Sequence, residues 1–305
     1  MKSISTSIFV TILCLGVFSF AHSQSPSFSQ SLSNPSFYIP SLAGWHGGLA
    51  AQAQYRNQWP GIPASFLNYQ LGVDGYVHKL RSAFALQAGH LQEGSDQVTG
   101  EKLQFHWAPR LSLADQVTFI PSASFEYQHY KIEPGTWSYW SQFPDPLSAG
   151  GDGKVDLYGL GLGGSLVAKS FVFGANWSFI NTPREANFTM PSRLTLIASQ
   201  RFSLAKVAYF TPTIVYDREG EFNALTFGSN IQYNWINLAL AYRWNDAAVF
   251  AAGVDMKERL RLTYSYEVTV SSLGTEFLGS HELGIRVLFF QQQQKGRLLQ
   301  DTSIL

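Results

Sequence analysis

The sequence predicts an all-β fold: a transmembrane antiparallel β-barrel of about 14 strands. Three observations carry this reading. First, the last strand alternates: His281, Leu283, Ile285, Val287 and Phe289 fall on one face, and Glu282, Gly284, Arg286, Leu288 and Phe290 on the other. Strand side chains point to opposite faces in turn, so an apolar set opposite a charged set means one dry face and one wet face. Second, charged residues are only 14% of the chain and aromatics 15%, against about 25% charged in a typical soluble domain. Mean hydropathy is nonetheless close to zero, at -0.04. A lipid-facing band, a polar lumen and aromatic girdles together give that combination. Third, connections between candidate strands alternate between short and long, as expected for tight turns on one side of a membrane and longer loops on the other.

Taken in chain order, residues 1–23 read as a signal peptide. Lys2 supplies the positive start, Ile8 to Phe20 the apolar core, and Ala21, His22 and Ser23 the cleavage region, leaving Gln24 as the mature N-terminus. The apolar core is shorter than the ~20 residues a spanning helix needs. Leu13 stands before Cys14 where a lipoprotein signal needs a small residue. A mature chain without Cys14 has no disulfide, thiol chemistry or Cys-ligated metal. Residues 24–46, with Pro26, Pro35 and Pro40, form an N-terminal segment and a candidate plug.

Residues 47–290 are the barrel. Turn signals divide them into spans at 47–55, 67–77, 82–92, 101–111, 117–130, 155–166, 171–180, 193–203, 206–216, 222–233, 236–244, 247–256, 260–269 and 281–290. The even count suits a bacterial single-chain barrel with both termini in the periplasm. Residues 291–305 form a polar tail, expected in the periplasm.

The faces are clean in several spans. Ile236, Leu238, Leu240, Tyr242 and Trp244 alternate with Asn237, Ala239, Ala241 and Arg243, and Phe171, Phe173, Ala175, Trp177 and Phe179 with Val172, Gly174, Asn176 and Ser178. Tyr242 and Trp244 are expected at the lipid–water boundary. A charge on the lipid face at mid-membrane costs about 2–4 kcal/mol. Arg243, Arg261, Glu267, Glu282 and Arg286 are therefore expected in the lumen.

Motifs for chemistry are weak. Gly159 to Gly164 matches G-x-G-x-x-G, but no helical pattern follows, and strand glycines facing a crowded lumen explain it better. His46, His78, His90, His106, His129 and His281 form no H-x-H or H-x-x-x-H pair, and no G-x-S-x-G elbow occurs. No catalytic, cofactor-binding or metal residue is assigned, and the chain is expected not to be an enzyme. Lysine plus arginine equals aspartate plus glutamate, 21 each, which argues against a nucleic-acid partner. Trp137, Tyr139, Trp140 and Phe143 lie in a long connection, as a candidate surface-contact loop or an inward lid.

One set of residues points to a family. Ile39, Pro40, Ser41, Leu42, Ala43 and Gly44 precede Tyr55, Arg56, Asn57, Gln58 and Trp59, and Leu71, Gly72, Val73 and Asp74 follow. This resembles the PorP/SprF family of type IX secretion system membrane proteins, in which an Asn-Pro-Ala…Gly element precedes a Tyr-Arg-x-Gln-Trp element and an Asp-bearing second strand. Ile39 and Ser41 depart from the usual Asn and Ala. The resemblance spans residues 28–290. It implies an outer-membrane barrel of the Bacteroidetes secretion and gliding apparatus, working with periplasmic components on export or surface retention of adhesin-like cargo. Tyr55, Arg56, Asn57, Gln58, Trp59 and Asp74 are then candidate partner contacts. Two other readings stay open: a transport barrel for small hydrophobic molecules, and a passive pore.

Overall fold

The computed structural model describes residues 30, 34–61, 65–93, 98–132, 153–185, 188–257, 259–270 and 279–291. The expected signal peptide, the loop with Trp137, Tyr139, Trp140 and Phe143, and the tail beyond residue 291 lie outside the described residues. Fourteen antiparallel strands form one closed barrel. They are β1 (Gly48–Gln58), β2 (Phe66–Val77), β3 (Ser82–Glu93), β4 (Val98–Pro109), β5 (Val117–Ile132), β6 (Lys154–Ala168) and β7 (Phe171–Ser178). The second half comprises β8 (Arg193–Gln200), β9 (Ala208–Glu219), β10 (Phe222–Tyr233), β11 (Ile236–Arg243), β12 (Ala247–Met256), β13 (Leu260–Thr269) and β14 (Ser280–Gln291). Each strand pairs with its neighbours in sequence, and β1 pairs with β14, from Gly48↔Gln291 to Gln58↔Ser280, so the barrel itself has no open edge.

Tight turns hold one rim. Lys169, Asn234 and Lys257 take positive φ of 55°, 54° and 50° there, the left-handed conformation that short hairpin turns demand. β4 and β8 continue past one-residue breaks at Arg110 and Arg201 as the short strands Leu111–Ala114 and Phe202–Ala205. Most longer connections lie on the other rim. The expected connection from Asp217 to Glu221 is an exception: β9 runs on to Glu219, because Asp217, Arg218 and Glu219 pair with both β8 and β10, leaving a two-residue turn at Gly220, φ 58°.

Alternation places the apolar set outside. Leu238, Leu240, Phe250, Tyr264, Leu283, Ile285 and Phe289 are all exposed on the outer surface, while Gln54, Gln70, Gln128 and Thr195 are buried inside. With no interior left to cover it, such a girdle is the surface that lipid covers. Phe179 departs from the expected pattern: β7 ends at Ser178, and Phe179, at φ 52°, turns its ring inward onto Gly159. Leu240 lies midway along β11, opposite Phe250, and 57% of it is exposed. Leu240→Arg is expected to lower the stability of the refolded barrel by about 2–4 kcal/mol, read as a fall in the urea midpoint. An unchanged midpoint would place that face in water.

Candidate functional site: the plugged lumen

Residues 34–47, just before β1, lie inside the barrel. Two short 3-10 turns, Pro35–Phe37 and Pro40–Leu42, cross the lumen toward the tight-turn rim. Ile39, Leu42, Ala43 and Trp45 pack there against Ala83, Ala85, Ala108, Ile120, Val167, Val172, Ile197 and Val215. Those wall residues are inward-facing yet apolar, because they meet a plug rather than water. Burying a side chain such as Leu42 or Ile39 contributes about 1.5–3 kcal/mol each. Inward glycines make room: a Cβ at Gly72 would lie 2.6 Å from the Phe37 ring, and one at Gly174 would lie 3.1 Å from Ile39.

Polar contacts fix the plug in register. The Gly44 N–H donates to Asp74 Oδ2 at 2.6 Å, and Gln52 Nε2 donates to Asp74 Oδ1. Arg110 donates to the Gly44 carbonyl at 2.6 Å, while its guanidinium sits 4.1 Å over the Tyr76 ring. The Ser36 hydroxyl accepts from Gln52 and its carbonyl from Gln87, both at 3.0 Å, and Ser41 meets Ser165 at 2.6 Å. Gly44 has φ 61°, and a Cβ there would sit 2.9 Å from backbone atoms of Gly75 and Tyr76; only glycine fits both demands.

Arg56 organises a second cluster. It is 2% exposed and donates to Glu267 at 2.9 Å and Glu282 at 3.4 Å. Arg243 bridges Glu267 at 2.8 Å and Asp246 at 2.6 Å. The network therefore ties β1, β14, β13 and β11 together across the closing seam. Arg261 holds Asp255 through two hydrogen bonds, and Asn237 donates to the same carboxylate at 2.7 Å. Arg286 is buried and lies in register with Gln52 on one side and Arg261 on the other. Gln30 links plug and seam: its N–H donates to Glu282 Oε1 at 3.1 Å and its amide to Ser265 at 3.3 Å.

All five charges expected in the lumen are inward-facing. The candidate partner contacts divide. Arg56, Gln58 and Asp74 point inward; Tyr55 faces outward against Tyr69, with ring centroids 5.1 Å apart. β1 reaches Gln58, three residues beyond its expected end, because Arg56 pairs with Glu282 and Gln58 with Ser280. Arg56 and Gln58 are thus wall residues and not loop residues. Asn57 also lies within β1, half-buried. Trp59 marks the long-loop rim: its N–H donates to Gly279 O at 2.9 Å, and its ring meets Phe66 edge-on at 5.4 Å. The sequence reading missed Gln30, Arg110 and Asp255. Asp255 had a signal, since it alternates with Val254 and Met256.

The G-x-G-x-x-G glycines lie within β6. Gly159 and Gly161, and Gly163 between the motif positions, face inward, where a Cβ would meet Phe179, Ser124 and Ala175 respectively, whereas the last motif glycine, Gly164, faces outward beside the Phe119 ring. The inward three clear space in the lumen, and a strand leads into and out of them.

Residues 20–287 match the family model described as type IX secretion system membrane protein PorP/SprF. The chain belongs to the PorP/SprF family. With its closed barrel and apolar girdle, this family member is an outer-membrane protein. Among curated proteins, none matches it. Among solved structures, the Acinetobacter baumannii outer membrane protein Omp33 aligns with TM-score 0.49 and 8% identity, over 81% of this chain and 100% of that one. The Ralstonia pickettii toluene transporter TbuX aligns with TM-score 0.47 and 12% identity, over 83% and 93%. The KdgM porin in complex with disordered oligogalacturonate gives TM-score 0.42 and 7% identity, over 79% and 99%. In this PorP/SprF chain, residues behind the family resemblance reach into the lumen: Gly44 donates to Asp74, and Arg56 meets Glu282 on β14.

Proposed function

We propose that this barrel serves the type IX secretion machinery by assisting export or surface retention of partner proteins such as adhesins, and that it carries out no chemistry of its own. The observation that carries this reading is the family match over residues 20–287. The tight-turn rim faces the periplasm and its secretion components, and the long-loop rim faces the cargo. The plug supports a scaffolding role over a passive pore, because Ile39, Leu42 and Trp45 fill the lumen near the tight-turn rim.

A transport barrel for small hydrophobic molecules is the second reading, favoured by the combination of fourteen strands with an N-terminal plug. The seam argues against it: an apolar solute would pass Arg56, Arg243, Arg261 and Arg286, which line one wall. Deleting the gene is expected to remove one or a few large proteins from the secreted or surface proteome, measured by mass spectrometry of both fractions. Unchanged proteomes, with solute flux through the purified barrel, would replace secretion by transport.

A further inference from the structure

Between the plug and the long-loop rim lies a cavity of about 490 Å³, floored by Phe37, Tyr38 and Pro40. Its volume is in the range of small-molecule sites, roughly 300–1,000 Å³. Its walls are built and not merely left over. Lys102 lies over Gly89, where a Cβ would come within 2.5 Å of its stem; Tyr130 lies over Gly100, at 2.8 Å; Phe179 lies over Gly159. Three inward glycines thus seat one cation and two aromatic rings around the same space.

The polar groups of this cavity are unmet in a particular way. His106 is 3% exposed, and neither ring nitrogen has a hydrogen-bond partner among the described residues. Lys102 forms no ion pair or hydrogen bond among the described residues. Gln104 Oε1 and Asn176 Oδ1 are buried without a donor. Donors and acceptors therefore line the same cavity: the Lys102 ammonium, two unmet amide oxygens, and an unmet imidazole that supplies one of each. Buried polar groups left without partners cost free energy, so a ligand that meets both kinds is favoured.

This mixture selects the chemistry of the occupant. A simple anion would answer Lys102 but face Glu93 and Glu126; a cation would answer the oxygens but face Lys102 and Arg193. An apolar molecule would leave all of them unmet. Hydroxyl groups both donate and accept, and the C–H faces of a sugar ring pack on aromatic rings such as Tyr130 and Phe179. We propose that the cavity above the plug is a binding site for a neutral, polyhydroxylated ligand, a sugar unit of a glycan, held by Lys102, Gln104, His106 and Asn176. The site does not depend on the secretion role.

The test uses the full-length barrel in a non-glycosidic detergent, with maltotriose and chitotriose as neutral probes and glucuronate as the anionic one. Saturation-transfer NMR is expected to show transfer from protein to at least one neutral probe. Lys102→Met with Gln104→Leu is expected to weaken that binding at least tenfold, with heat-modifiable gel migration intact. Asn176→Ala, on β7, is the second variant and is read alone if the pair does not fold. The proposal is overturned if the folded barrel transfers to neither neutral probe, if glucuronate binds more tightly than both, or if a folded variant binds as well as the parent.

Discussion

Arg56→Met is expected to lower barrel stability by about 3–5 kcal/mol, the usual consequence of removing one partner from a buried ion network. The substitution keeps most of the side-chain volume and removes the charge. Glu267 would still have Arg243, at 2.8 Å, but Glu282, only 1% exposed, would lose its guanidinium partner. The loss is read as a fall in the urea midpoint of the faster-migrating, unboiled band. Adding Glu282→Gln to Arg56→Met is expected to restore part of it, since the buried charge that Arg56 balanced is then gone. A single variant as stable as the parent would mean that water reaches and solvates these groups, and the seam would then owe its strength to the backbone ladder alone.

Asp74→Ala is expected to loosen the plug while leaving the barrel closed. Its carboxylate accepts from the Gly44 N–H and from Gln52, and hydrogen bonds to charged groups contribute about 1.5–3 kcal/mol each. Both donors would remain in the lumen without that acceptor. In planar bilayers the parent should show little or no steady current, and Asp74→Ala frequent, long openings. Gly44→Ala should act in the same direction through a different cause, the combination of φ 61° and the 2.9 Å approach to Gly75 and Tyr76. Parent-like current from both folded variants would show that the segment is held by its apolar contacts with the wall and not by this cluster.

The barrel was legible because lipid imposes a rule that each strand obeys separately. Leu238 and Leu240 against Asn237 and Ala239, or Leu283 and Ile285 against Glu282 and Arg286, announce their faces with no knowledge of their neighbours. The lumen was only half legible for the same reason. Alternation says that Arg243, Glu267 and Glu282 face inward, but not that Arg56 joins them. That pairing depends on how far β1 extends and on its register with β14, which a one-dimensional pattern does not carry. Ala83, Ala85, Val167 and Val172 did bear a mark of the plug, since they are apolar on the face where their strands should be polar. Phe179 was misplaced because a single left-handed residue ended the alternation one position early. Lys102 and His106 stood out in no motif: they share one face of β4, but the cavity they line also needs Asn176 from β7, the plug as floor and the inward glycines.

The seam also governs the order in which this molecule can assemble. Every other pair of neighbouring strands is consecutive in the closed sheet, but β1 and β14 join residues 48–58 to residues 280–291. Loop-closure entropy delays contacts of such long sequence separation relative to the local hairpins. Residues 34–47 lead directly into β1, so the strand that completes the cylinder brings its own filling. Asp74, Gln87 and Ser165, on β2, β3 and β6, can receive that segment while the sheet is still open, whereas Glu282 can meet Gln30 only once the two ends of the sheet converge. The final zippering therefore sets shape and content in one event: a curled sheet that has not yet taken up its N-terminal segment lacks much of what draws its two edges together.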